Sequence, residues 1–178
     1  TGAAVAPLRE KYPEIPIIGI EPEIKTAALQ KENPKVLVMA TPLTLKQEKF
    51  LRLEGKYSDV ADFTLLPCPG LMELIEEGHT GDETLSEYLK NLFSSLGKSD
   101  FDAIVLGCTH YPHAAKAIAE FFPETPIYDG CRGTAMQTAR RLGEEKLLKT
   151  DGKKGEIEFI TTSKNEKFEP LCKKLLGV

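Results

Sequence analysis

A thiol and an imidazole stand two residues apart in IVLGCTHYPH, residues 104–113, where Cys108, Thr109 and His110 follow an apolar run. The run is typical of a buried strand, and Pro112 suits the first turn of a following helix. A helix dipole and a neighbouring imidazole would lower the pKa of such a thiol, and the thiolate could act as nucleophile or general base. The structural alternative makes Cys108 a small core residue and His110 a capping or surface residue.

Two threonines and a pair of glutamates are further candidates. Thr41 and Thr44 flank the start of a predicted helix, where their hydroxyls could hold a carboxylate beside free backbone N–H groups. Simple helix capping is the commoner role for such residues. Glu76 and Glu77 are predicted at the end of another helix, and one of them could point back towards the thiol, although a charged helix end is ordinarily solvated.

Metal and nucleotide chemistry find little support in the sequence. His113 could join Cys108 and His110 as a ligand, but it falls inside a predicted helix and no second ligand cluster accompanies it, so no metal site is predicted. The chain contains neither GxGxxG nor GxxxxGK[ST], so no nucleotide cofactor is predicted.

Strand-like runs alternate with helical patterns in units of about 30 residues, which predicts an α/β fold with parallel sheets covered by helices on both faces. The predicted strands are 15–20, 35–40, 62–68, 101–107, 125–130 and 155–163. An opening helix and helices at 44–56, 69–78, 82–96, 112–121, 134–142 and 166–176 are predicted between or after them.

Ligands bind outside the carboxyl ends of the strands in open α/β sheets. The residues that follow the predicted strands at that edge are Thr41, Thr44, Cys68, Pro69, Cys108, Thr109, His110, Asp129 and Gly130. The thiol–hydroxyl–imidazole group therefore lies where a ligand would bind, by position alone. Asp129 is most simply interpreted as a turn or cap residue.

Composition narrows the class of protein. Of the 178 residues 41% are hydrophobic and 28% are charged, as in an ordinary globular protein, and a net charge of −4 argues against a nucleic-acid partner. No apolar run approaches the roughly 20 residues that cross a bilayer, and no secretory leader pattern opens the chain, so no membrane partner and a cytoplasmic location are expected. The four cysteines form no CxxC pair, which favours reduced thiols.

Four segments resemble the glutamate racemase family of the aspartate/glutamate racemase superfamily: ATPLTLKQEKF (40–50), CPGLMELIEEG (68–78), LGCTHYPH (106–113) and IYDGCRGTAMQTARRL (127–142). The resemblance covers essentially the whole chain in the same order. It implies that Cys108 is one of two catalytic thiols, that His110 assists it, and that Glu76 lies nearby. Thr41, Thr44 and Thr109 would bind the substrate, and Ala40 replaces a glycine of the family motif.

The resemblance also implies the reaction. Cofactor-independent inversion of Cα would interconvert L- and D-glutamate, a small-molecule substrate, and supply D-glutamate for peptidoglycan. One base cannot easily remove a proton from one face of Cα and deliver another to the opposite face, so two thiols would face each other across the substrate. Members of the family are often dimers, so a homodimer is a further implication.

The resemblance implies one complete domain, residues 23–130, and part of another, residues 1–22 and 131–178. The first thiol and an aspartate would precede Thr1, so we expect an N-terminally truncated chain that does not racemise glutamate when isolated. The alternatives are a related aspartate or hydantoin racemase, a decarboxylase of the same superfamily, or a non-catalytic paralogue that binds glutamate or a partner. An in-frame Cys-Asn-Thr segment upstream of Thr1 would favour the enzyme.

Overall fold

A four-stranded parallel sheet organises the computed structural model, which describes residues 4–97, 99–153, 155–162 and 166–177. The strands are β1 (Lys35–Ala40), β2 (Asp62–Pro67), β3 (Ala103–Leu106) and β4 (Ile127–Asp129), and they lie in the order β2-β1-β3-β4. In the centre of the sheet, Leu37 of β1 is paired with Thr64 of β2 and Ile104 of β3. All three pairings are parallel, so the carboxyl ends of the strands share one edge.

Helices connect the strands and flank the sheet. They are α1 (Val5–Lys11), α2 (Ile24–Ala28), α3 (Pro42–Leu45), α4 (Glu48–Gly55), α5 (Leu71–Glu76), α6 (Glu83–Ser94), α7 (Ala115–Phe121), α8 (Cys131–Glu144) and α9 (Phe168–Leu176). A 3₁₀ turn, Tyr111–Ala114, precedes α7. The predicted α/β class is confirmed. Within the described ranges, no helix combines the length and apolar character needed to span a bilayer.

The two central strands, β1 and β3, are buried on both faces, as expected where crossover helices cover a parallel sheet. Successive residues of a strand point to opposite faces, so β1 contributes Leu37 and Met39 to one apolar cluster and Val36 and Val38 to the other. The first cluster includes residues of α5, α6 and α7, and the second includes residues of α2 and α4. The core between helices and sheet holds the strand ends in fixed positions.

The residues at and near their first turns explain where two of the helices, α5 and α6, begin. The α6 helix buries Leu85, Leu89 and Phe93 at four-residue spacing, and Asp82 caps it by accepting the N–H of Leu85 at 3.1 Å. The predicted helix 69–78 starts later than expected, because Gly70 at φ +85° forms the N-cap and the helix begins at Leu71. The prediction that Pro69 lies in the first turn was therefore wrong.

Two predicted strands are absent. Residues 15–20 and the described part of 155–163, which is 155–162, form no strand, and residue 163 lies outside the described residues. A strand requires hydrogen bonds from a neighbouring strand, and neither segment pairs with the described sheet. Ile157 and Ile160 are exposed as a result.

The predicted helix 44–56 is divided into α3 and α4. Lys46 ends α3, and Gln47 takes an extended conformation with ψ 133° before α4 begins at Glu48. This break turns the chain beside the carboxyl ends of the strands.

Candidate functional site

A cavity of ≈ 210 Å³ lies at the carboxyl ends of β3 and β4, beside α3 and α4. Thr44, Cys108 and Thr109 line it, as do Asp129 and Gly130. Its other lining residues are Ile20, Glu21, Pro22, Gln47, Lys49, Phe50, Leu53, Leu106, Gly107, Pro112 and Cys131. The positional argument from the sequence therefore placed the thiol correctly beside an open space.

Two glycines allow the chain to pack tightly around the cavity. A Cβ at Gly107 would lie 2.9 Å from the Cβ of Ala40, and one at Gly130 would collide with the carbonyl oxygen of Glu21. Ala40 is fully buried and does not line the cavity, so its methyl group faces Gly107 rather than a ligand. A side chain at either glycine would push apart segments that form the cavity wall.

Three side chains form a chain of contacts that starts at the cavity wall. The Sγ of Cys108 lies 3.7 Å from Nδ1 of His110, and Nε2 of His110 lies 3.0 Å from Oε1 of Glu76. If Nε2–H donates to the carboxylate of Glu76, Nδ1 is the unprotonated nitrogen and can accept the S–H proton of Cys108. The structure thus brings together the three residues that the sequence grouped as catalytic candidates.

Burial raises the pKa of Cys108, and the nearby carboxylates of Glu73 and Glu76 raise it further. Backbone N–H groups of His110 and Tyr111 act in the opposite direction but do not prevail. The sequence-based expectation of a lowered pKa was therefore wrong. The physical reason is that burial of the thiol outweighs the backbone N–H groups at the start of the 3₁₀ turn 111–114.

The three threonines have different surroundings. Thr41 caps α3, because its hydroxyl accepts the N–H of Thr44 at 3.1 Å, and the two hydroxyl oxygens lie 2.9 Å apart. Thr44 lines the cavity and Thr41 does not. Thr109 is exposed and also lines the cavity. The capping role considered for Thr41 is thus present in the structure.

Tyr111 anchors the turn that follows Cys108, a role that the sequence analysis missed. Its side chain is fully buried, and its hydroxyl donates to the carbonyl oxygen of Cys68 at 3.2 Å. This bond ties the end of β2 to the turn that follows Cys108. Cys68 is 1% exposed, and burial raises its pKa to about 12, so it is a core thiol rather than a reactive one.

Replacing Tyr111 by phenylalanine should lower the free energy of unfolding by about 1–3 kcal/mol, because it leaves a buried carbonyl without its donor. Urea unfolding of the purified protein measures the change. Tyr88→Phe is the matched control: its hydroxyl donates to the carbonyl of Pro69 at 2.9 Å in a more exposed place, where water can take over the bond. Equal losses in the two variants would contradict the assigned role of Tyr111.

A second thiol at the cavity, Cys131, was also missed. Cys131 follows Asp129 and Gly130 and is exposed, and its N–H donates to the Asp129 carboxylate at 2.8 Å. Partial burial, followed by the Asp129 carboxylate, raises its pKa. Its place directly after a strand-end Asp-Gly pair was the available signal. Across the described ranges, no group of three or more residues could hold a metal ion.

Known proteins are similar in sequence to this chain over essentially its full length. A family model described as Asp/Glu/Hydantoin racemase matches residues 1–138. A glutamate racemase of Clostridium acetobutylicum is 46% identical over 178 residues, which is all of this chain and 70% of that protein. A glutamate racemase of Clostridium botulinum is 44% identical over 177 residues, covering 99% of this chain and 69% of that protein.

Solved structures agree with these matches. Glutamate racemase of Francisella tularensis, solved in complex with D-glutamate, superimposes with a TM-score of 0.78 at 25% identity over 97% of this chain. A glutamate racemase isoform of Bacillus anthracis gives the same TM-score and identity over 99% of this chain. The chain spans 64% and 66% of those two proteins, which is slightly less than two thirds of each.

Proposed function

The chain belongs to the Asp/Glu/Hydantoin racemase family, and from that membership we propose that its site takes part in interconverting L- and D-glutamate without a cofactor. The relatives favour glutamate over aspartate or a hydantoin, because the similar proteins named above are glutamate racemases. The observation that carries the proposal is the contact chain from Cys108 through His110 to Glu76, which begins at the cavity wall.

Cys108 moves a proton to and from one face of Cα. Its raised pKa keeps the thiol protonated at neutral pH, so it is ready to donate a proton to a carbanion. In the reverse direction the thiolate removes the proton, and backbone N–H groups of His110 and Tyr111 stabilise the negative sulfur. The thiolate forms when His110 accepts the S–H proton of Cys108 at Nδ1. Glu76 fixes the orientation of the imidazole through Nε2.

Hydroxyl groups at the cavity hold the substrate in this proposal. Thr44 and Thr109 line the cavity and can each donate a hydrogen bond to a carboxylate. Thr41 acts through Thr44, because their oxygens lie 2.9 Å apart and the hydroxyl of one orients the other. Fixed donors of this kind stabilise the negative charge that develops when Cα loses its proton.

A second thiol would serve the opposite face of Cα. We assign residues 23–130 to one domain, and residues 1–22 and 131–178 to part of the other, with the second thiol and an aspartate encoded upstream of Thr1. In the cell the product would be D-glutamate for peptidoglycan, made in the cytoplasm by an enzyme that forms a homodimer. The upstream gene sequence tests this assignment: an in-frame Cys-Asn-Thr segment supports it, and a start codon without that segment contradicts it.

The complete gene product, meaning this chain with any residues its gene encodes before Thr1, should interconvert L- and D-glutamate. Circular dichroism of the amino acid measures the reaction, with aspartate as the matched control substrate. The isolated 178-residue chain should show no racemisation, because the proposed second base is absent from it. No racemisation of glutamate by the complete gene product would contradict the proposed function, and racemisation by the isolated chain would contradict the two-thiol assignment.

A further inference from the structure

Of the described residues that line the cavity, Lys49 is the one with a cationic side chain, whereas Glu21 and Asp129 are acidic. Lys49 belongs to α4, Glu21 precedes α2, and Asp129 ends β4. Glutamate at neutral pH carries two carboxylates and one ammonium group, so its net charge has the same sign as these two acids. An unbalanced acidic wall would therefore disfavour substrate binding.

Glu21 cannot easily leave the cavity. Its carbonyl oxygen lies so close to Gly130 that a Cβ there would collide with it, and the side chain of Ile20 packs against the same glycine. The backbone at residues 20–21 is thus held against the start of α8. Glu21 therefore stays in the wall of the cavity, and its carboxylate adds a negative charge there unless a cation compensates for it.

Lys49 is that cation. Its Nζ lies 2.6 Å from Oε1 of Glu21, and the two side chains are 47% and 51% exposed. An exposed ion pair of this kind contributes little to folding stability, so stability alone does not explain why Lys49 and Glu21 are paired. It does change the charge that an entering anion meets, since electrostatic repulsion acts over several ångströms even in water.

We propose that Lys49 is a positioning residue that neutralises Glu21 and so lets the cavity accept an anionic amino acid. The inference rests on the proposed function, because it takes glutamate as the substrate. Lys49 acts through Glu21 in this arrangement and does not touch the reacting atoms. Asp129 keeps its negative charge, although its carboxylate accepts the N–H of Cys131, and this charge is the same in every variant compared below.

The test uses the complete gene product and measures KM and kcat for L- and D-glutamate separately. In Lys49→Met, KM should rise about 3- to 10-fold while kcat stays within about 2-fold, and the effect should shrink at high salt. Glu21→Gln combined with Lys49→Met removes both charges and should return KM to within about 2-fold of wild type. Lys173→Met is the matched control, since Lys173 is an exposed lysine that pairs with Glu169 on α9 and does not line the cavity.

An unchanged KM in Lys49→Met would overturn the inference. A raised KM that the Glu21→Gln change does not repair would also overturn it, because Lys49 would then contact the substrate directly. If Lys49→Met fails to fold, the charge exchange Glu21→Lys with Lys49→Glu keeps the pair neutral and should leave KM near the wild-type value. Each of these results requires an active wild type, so an inactive wild type defeats the proposed function and is a separate outcome.

Discussion

Alanine in place of Cys108 should lower kcat for glutamate racemisation by the complete gene product by about 10²- to 10⁴-fold in both directions. The loss is expected because the thiol at the cavity wall is the proposed acid and base for one face of Cα. Cα–H exchange in heavy water, followed by NMR, and circular dichroism measure exchange and inversion separately. Inversion needs a proton on each face, so it should be lost from both enantiomers.

Cys172→Ala is the matched control for this experiment. Cys172 is a half-buried cysteine of α9 that does not line the cavity, so its removal tests whether loss of any thiol reduces activity. Its kcat should stay within about 2-fold of wild type, as for most changes away from a site. A Cys108→Ala enzyme that retains wild-type kcat would remove Cys108 from the mechanism.

Alkaline pH should destabilise the fold through Cys68. Burial raises its folded pKa to about 12 from an ordinary value of 9.0, so the folded state keeps a proton that the unfolded state releases. The stabilisation amounts to about 4 kcal/mol and is fully present below pH 9.0. It is lost as the pH rises through the pKa of the folded state. Between about pH 8 and pH 10.5 the expected loss is about 2 kcal/mol.

Urea unfolding at the two pH values measures this loss. Cys68→Ala removes the titrating group, so this variant should lose less stability between the two pH values than the wild type, whatever its stability at the lower pH. Tyr111 and Tyr88 also titrate at high pH, because burial raises the pKa of each, and the wild type and Cys68→Ala share that effect of burial. Equal pH dependence in the two proteins would show that Cys68 does not hold its proton in this way.

The two central strands, β1 and β3, were predictable because each is an almost continuous apolar run, as strands buried on both faces are. The prediction failed at 15–20 and 155–162, whose composition is equally strand-like. Composition indicates the conformation that a segment prefers. A strand also needs hydrogen bonds from a neighbouring strand, and the residues of the segment do not show whether that neighbour is present.

The candidate site was predictable to the extent that it depends on strand ends. Cys108, Thr109 and Thr44 line the cavity because parallel strands bring their carboxyl ends to one edge. The direction of the Cys108 pKa shift was not predictable, since it depends on burial and on carboxylates of α5, a helix that is distant in the sequence but close in space. Lys49 escaped notice for a similar reason: among the charges of α4 it looks like part of a solvated face.

The contact between Gly130 and Glu21 has a consequence for protein engineering. Because these two residues touch, the segment between them leaves and re-enters the rest of the chain at one point. A segment whose ends meet can be excised, transplanted or closed into a ring with a short linker, as happens in natural domain insertions. We therefore expect that residues 22–129 could be exchanged among related proteins as a single insert.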